Sequence, residues 1–171
     1  MRDTPRIIIR PEATDDIPSI RSLTDAAFVG MEHSKQTEGA IVDALRQAGA
    51  LSLSLVAERG GAVIGHVAFS PVLINGEDVG WFGLGPVSVS PSLQRGGVGS
   101  ALIKEGLKLL AHRGARGCVV LGEPDYYRRF GFTSDHALSY RGAPAEYFQS
   151  LVLAGEPLEG EVAYHAGFEA T

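Results

Sequence analysis

The sequence predicts a mixed α/β (α+β) fold, a mostly antiparallel sheet flanked by helices, in one domain spanning 1–171. Three observations carry that expectation. Strand periodicity dominates residues 51–89, helical periodicity stands on either side, and a strand–helix–strand crossover lies near the middle of the chain. No repeat, low-complexity tract or linker divides the sequence.

Taken in order, Arg6-Ile7-Ile8-Ile9-Arg10 is a β-branched run stopped by Pro11 and predicts the first strand. Thr14 followed by Asp15 and Asp16 marks a helix start with acids in its first turn. Ile17, Ile20, Leu23, Ala27 and Phe28 then recur at helical spacing. A second helix is expected over 37–48, with Ile41, Ala44, Leu45 and Ala48 on one face and Gly49 at its left-handed end. Leu51-Ser52-Leu53-Ser54-Leu55 alternates as a strand, Arg59-Gly60-Gly61 turns, and 62–70 returns. Asn75-Gly76 is a hairpin signal, because both residues tolerate positive φ, and it leads into a strand over 79–89. These segments predict a three-stranded antiparallel meander.

A helix is expected over 97–113 with Gly114 as its stop, then a short apolar strand over 117–122, a buried central position. Pro124 opens a short helix that Gly131 closes. Weaker strands are expected around 132–140, 147–153 and 161–165.

Composition narrows the function classes. Disorder requires low hydrophobicity, whereas 44% of the residues are hydrophobic and 20% charged. Fifteen Lys and Arg against twenty Asp and Glu leave a net charge of −5, with no positive field for nucleic acid. The single cysteine, Cys118, excludes an intrachain disulfide framework and suits a reducing cytoplasm. The first residues lack a signal peptide's apolar stretch, and no run approaches the roughly 18 apolar residues of a membrane span. The expectation is a cytoplasmic protein with no membrane association. His33, His66, His112, His136 and His165 show no paired spacing such as HExxH, so no metal is expected.

The most informative segment runs Val87-Ser88-Val89-Ser90-Pro91-Ser92-Leu93-Gln94-Arg95-Gly96-Gly97-Val98-Gly99-Ser100. An apolar strand feeds a turn with three glycines in four residues, which opens directly into a helix. There the amides of the first helical turn point outward unpaired, and the helix dipole adds partial positive charge. A phosphate or pyrophosphate is the natural guest, with Arg95 beside it. A P-loop would need Lys after the last glycine, and a dinucleotide fingerprint would need glycine at Leu102, so both fail. Gly85-Pro86 sits inside the preceding strand, where proline cannot donate to a ladder; a bulge or a splayed neighbour is expected.

Gln94-x-x-Gly97-x-Gly99 after a strand with Val87 and Val89 resembles the acyl-CoA signature of the GCN5-related N-acetyltransferases (GNAT). Tyr127-Arg128-Arg129-Phe130-Gly131-Phe132, one helix and one strand later, is similar to the family's second signature. With Gly65-His66-Val67-Ala68-Phe69-Ser70-Pro71, the layout resembles the bacterial YhbS-type subgroup. The resemblance covers about residues 6–166 and is specific mainly over 84–132.

The resemblance implies the acyl-CoA N-acyltransferase fold, with the sheet splayed between its fourth and fifth strands. It implies acetyl-CoA as co-substrate and an acetyl or short acyl group passing to a primary amine of a small-molecule or peptide acceptor. It places Val87, Ser88 and Val89 beside pantetheine, and Gln94, Arg95, Gly96, Gly97, Val98, Gly99 and Ser100 around the pyrophosphate. Tyr127 would be the general acid, with Tyr126 the alternative if the register slips by one. The general base is open, because 81–89 contains no carboxylate. Glu123 is the candidate beyond the fifth strand, while Glu32, His33 and Glu38 sit near the first two helices, where the family forms its acceptor pocket. Cys118, amid strand valines, reads as a small buried hydrophobe rather than a nucleophile. Tyr147, Phe148 and Tyr164 line either the core or a homodimer interface. The rival reading is a non-catalytic CoA-binding or sensing module.

Overall fold

The computed structural model describes residues 5–171. In chain order it contains β1 (Ile7–Pro11), α1 (Ile17–Phe28), α2 (Glu38–Gln47), β2 (Leu53–Arg59), β3 (Ala62–Pro71), β4 (Leu73–Ile74), β5 (Trp81–Val89), α3 (Val98–His112), β6 (Gly117–Leu121), α4 (Pro124–Tyr127), β7 (Leu138–Ser139), β8 (Phe148–Val152) and β9 (Gly160–Ala163). The main sheet runs β1-β2-β3-β5-β6-β8, and only β5–β6 is parallel. This is the predicted meander followed by a crossover through α3. Among the described residues no helix is long and apolar enough to cross a membrane.

Strand alternation sends side chains to two faces, and each face is covered. Leu53, Leu55, Ala57, Val67 and Phe69 pack under α3, against Leu102, Ile103 and Leu110. Val56 faces the other way, onto Ile20 of α1 and Val42 of α2. Gly106 lets α3 approach the sheet, since a Cβ there would lie 2.3 Å from the Phe69 ring. Pro11 is tolerated in β1 because this strand is an edge with β2 as its single partner.

One strand expectation needs correction. Residues 132–140 form no continuous strand: the Asp135 carboxylate takes the Ala137 N–H at 3.1 Å and His136 adopts φ +66°, which leaves a single bridge from Thr133 to Ser150 and the two-residue strand Leu138–Ser139. Asn75-Gly76 forms the expected two-residue turn, with φ of 51° and 80° and Ile74 paired with Glu77 across it, while β3 and β5 pair from Pro71 opposite Phe82. Ahead of the turn, β4 also pairs with β9, in a small second sheet ordered β4-β9-β7 that the sequence does not predict. Strands of two residues carry too little pattern to be read from sequence.

The feature that positions the site is in β5. Val67 pairs Val87 while Phe69 pairs Leu84, so β5 carries one residue more than β3 across Gly85-Pro86, whose peptide is cis. Pairing of β5 with β6 stops at Leu84 opposite Val120. Beyond that point the fourth and fifth strands of the main sheet diverge.

Candidate active site

Strand geometry determines which backbone groups face the divergence. The Ser90 N–H donates to the Ile64 carbonyl on β3 at 2.9 Å. Because ladder groups alternate along a strand, Ser88 also points to β3, and the N–H and C=O of Val87 and Val89 point to the opposite edge. That edge has no strand partner after Leu84. The Val89 carbonyl meets the Gln94 side-chain amide at 3.2 Å, which ties the turn to the strand end.

The glycine-rich turn follows at once. Gly97 takes φ 89° at the α3 N-cap, and Arg95 is also left-handed at 68°. The Gly96 N–H is held by the Leu93 carbonyl at 3.3 Å, whereas the turn's hydrogen bonds leave the N–H groups of Gly97, Val98, Gly99 and Ser100 unused. Residues Gln94, Arg95, Gly96 and Gly97 are exposed. Gly99 is where the two signatures meet: a Cβ there would lie 3.5 Å from Val89, 3.6 Å from the Tyr126 hydroxyl and 3.8 Å from Val87.

Between the diverging strands opens a cavity of about 330 Å³. Leu84, Gly85, Pro86 and Val87 of β5 form one side, with Leu121 and Tyr127 on the β6 side. The structure separates the two adjacent tyrosines. Tyr127 lines this cavity, its ring packed edge-on to Tyr126 and Phe132, with centroids 5.0 and 6.0 Å away. Gly122 makes room for that ring, because a Cβ at Gly122 would sit 2.3 Å from Tyr127 Cε2. Burial pushes the Tyr127 phenol well above its ordinary pKa, so it stays protonated at neutral pH. Tyr126 instead turns toward Gly99 and lies under the Arg129 guanidinium, 4.4 Å from its ring centre.

Not every predicted residue converges here. Ser88 is buried and turned away, its hydroxyl 3.2 Å from Thr24 on α1. Glu123 is exposed at the N-cap of α4, its carbonyl accepting from the Tyr126 and Tyr127 amides, and it is absent from the cavity wall. Arg128 pairs with Asp125. Cys118 is sealed in β6, and burial raises its thiol far above the usual range. His66 is buried with Nε2 2.8 Å from the Ser54 hydroxyl, and desolvation lowers its pKa to about 4. Phe148 is core, Tyr164 lines the cavity and Tyr147 is exposed. Among the described residues no group of three potential ligands is placed to hold a metal.

The far wall was not legible in the sequence. Phe28 from α1, Glu38 and Ile41 from α2, Tyr140, and Tyr164 and Phe168 from the C-terminal segment complete the cavity. These residues come from four distant stretches, and only Glu38 stood among the acceptor-side candidates.

The chain matches the acetyltransferase (GNAT) domain model over residues 8–134. It is 38% identical over 169 residues to the uncharacterized N-acetyltransferase YhbS of Escherichia coli (strain K12), covering 95% of this chain and 98% of that one. A crystal structure of a GNAT family acetyltransferase from Brucella melitensis in complex with acetyl-CoA is 53% identical, with TM-score 0.86 over 95% of this chain and 98% of that chain. The structure of Escherichia coli YhbS in complex with CoA superimposes with TM-score 0.90 at 36% identity, over 99% of this chain and 95% of that chain.

Proposed function

Since the chain belongs to the GNAT acetyltransferase family, we propose that it transfers an acetyl or short acyl group from acetyl-CoA to a primary amine by direct attack. One observation carries this reading. The unpaired amides at the start of α3 and the free edge of β5 lead continuously into a cavity that holds Tyr127.

Each part has a physical task. The amides of Gly97, Val98, Gly99 and Ser100, with the α3 dipole and Arg95, bind the pyrophosphate. Gln94 clamps the turn, and Gly96 closes it with its N–H on the Leu93 carbonyl. Val87 and Val89 offer the pantetheine arm backbone groups, as an added strand would, and Ser88 holds the strand from behind. The thioester then lies between Pro86–Val87 and Tyr127, where the Val87 N–H supports the oxyanion.

The neutral amine nitrogen attacks the thioester carbon, and a C–N bond forms. As the intermediate collapses, the C–S bond breaks and the Tyr127 phenol gives its proton to the departing sulfur. The proton shed by nitrogen returns through water to the phenolate, so the enzyme is restored. Burial holds the proton on Tyr127 until thiolate charge develops beside it in the same apolar surroundings. The relatives that bind CoA and acetyl-CoA support the choice of donor.

The test is amine-dependent release of CoA thiol. The reading expects turnover with an amine panel and its collapse in Tyr127→Phe, with CoA affinity retained. Tight acetyl-CoA binding without turnover across the panel would assign a sensing module instead.

A further inference from the structure

The cavity has an unusual chemical balance. Twelve residues line it, and five of them are aromatic: Phe28, Tyr127, Tyr140, Tyr164 and Phe168. Glu38 supplies the single formal charge, and no Lys, Arg or His faces the space. Arg141 and His165 line a neighbouring hollow that shares the Tyr140–Tyr164–Phe168 wall, and Arg141 is already held by Glu161 at 3.1 Å.

Glu38 opens α2, where a carboxylate is favoured by the helix dipole. The dipole does not account for its hydrogen bonding. Oε1 accepts from the Ser34 hydroxyl, while Oε2 is shut off from solvent with no partner. The Tyr164 hydroxyl on the same cavity is also buried and unpartnered. A buried carboxylate oxygen and a buried hydroxyl left unpaired on one wall cost free energy that a matching ligand recovers.

Resting on the transfer reading above, we propose that Glu38 anchors the acceptor and sets its class: a cationic primary amine on an apolar or aromatic carbon arm, without a carboxylate beside the nitrogen. The ammonium N–H groups donate to Glu38 Oε2 and to the Tyr164 oxygen, and the arm lies among Phe28, Tyr140 and Phe168; one ammonium proton passes to bulk water before the neutral nitrogen attacks the thioester. An α-amino acid would bring a carboxylate that finds no cation in this lining and meets Glu38 with like charge.

Calorimetry on the CoA-loaded protein, with 2-phenylethylamine and phenylalanine as probes, tests this. The pair shares one arm and differs by the carboxylate. The expected result is binding of 2-phenylethylamine, at least about tenfold weaker binding of phenylalanine, and a similar loss for the amine in Glu38→Gln. Glu38→Asp retains part of the affinity, and unchanged CoA affinity in both variants reports that they are folded. Equal amine binding by Glu38→Gln, equal binding of the two probes, or no amine binding overturns the proposal. Acetylation is read separately: Glu38-dependent binding without product from acetyl-CoA refutes the transfer reading and leaves the pocket assignment standing.

Discussion

Gly122→Ala perturbs the site without touching a polar group of the mechanism. Gly122 is pinned from both sides, its N–H donating to the Tyr147 carbonyl at 3.0 Å and its carbonyl accepting from Gln149 at 3.1 Å. A Cβ added there would stand 2.3 Å from Tyr127 Cε2 and 3.0 Å from Cδ2, so it is the ring that must move. Relief requires a shift of about 1 Å to reach ordinary contact distance. Phe132 and Tyr126 resist that shift from two directions. Overpacking of this kind costs about 1–3 kcal/mol, which lowers Tm by roughly 2–12 °C in a chain of this size. A misplacement of about 1 Å at a reacting group costs on the order of 100-fold in rate. The amides at the start of α3 lie on another element, so CoA affinity should not change. The assay is amine-dependent thiol release beside calorimetric CoA binding. A Gly122→Ala enzyme with near-normal kcat would refute the placement of Tyr127 at the reacting sulfur.

Other outcomes follow from the same geometry. Tyr127→Phe should lower kcat by about 10²–10⁴-fold with CoA affinity intact, whereas Tyr126→Phe should change CoA affinity more than kcat; steady-state kinetics with calorimetry separates them. Gly97→Ala meets no atom within 4 Å, so its whole effect is the strain of φ 89°. That strain is about 1–2 kcal/mol, which should appear as roughly 5–30-fold weaker CoA binding as the turn relaxes. His66 has a folded pKa of about 4, below its ordinary value of 6.5, because burial disfavours its charged form. Its contribution is complete above pH 6.5 and lost as pH falls toward 4, a loss of about 3 kcal/mol. Denaturant melts from pH 7 to 4 should show that loss, and His66→Gln should flatten it.

Local signals proved legible where one stretch of chain carries both the pattern and the structure. The strand–glycine–helix segment from Val87 to Ser100 and the divergence at Gly85-Pro86 are set by residues adjacent in sequence, so their conformations follow from φ preferences and missing donors. The choice between Tyr126 and Tyr127 was not legible. Neighbouring residues on a single helical turn point in different directions, and which ring enters the cavity depends on Gly122 and Phe132 from other elements. Glu123 was the candidate base because it follows the fifth strand, while Glu38 was one of three polar residues near the first two helices. Only the packing of α2 against the C-terminal segment distinguishes them, placing Glu38 on the wall with Tyr164 and Phe168. Ser88 alternates away from its neighbours, a distinction that period-2 patterning implies once the partner strand is known.

The most direct test is a structure of this protein with acetyl-CoA bound. Pyrophosphate oxygens are expected within hydrogen-bonding distance of the Gly97, Val98, Gly99 and Ser100 amides, and the thioester sulfur beside the Tyr127 hydroxyl. A diphosphate held elsewhere, or a thioester lying outside the space between β5 and β6, would contradict that placement.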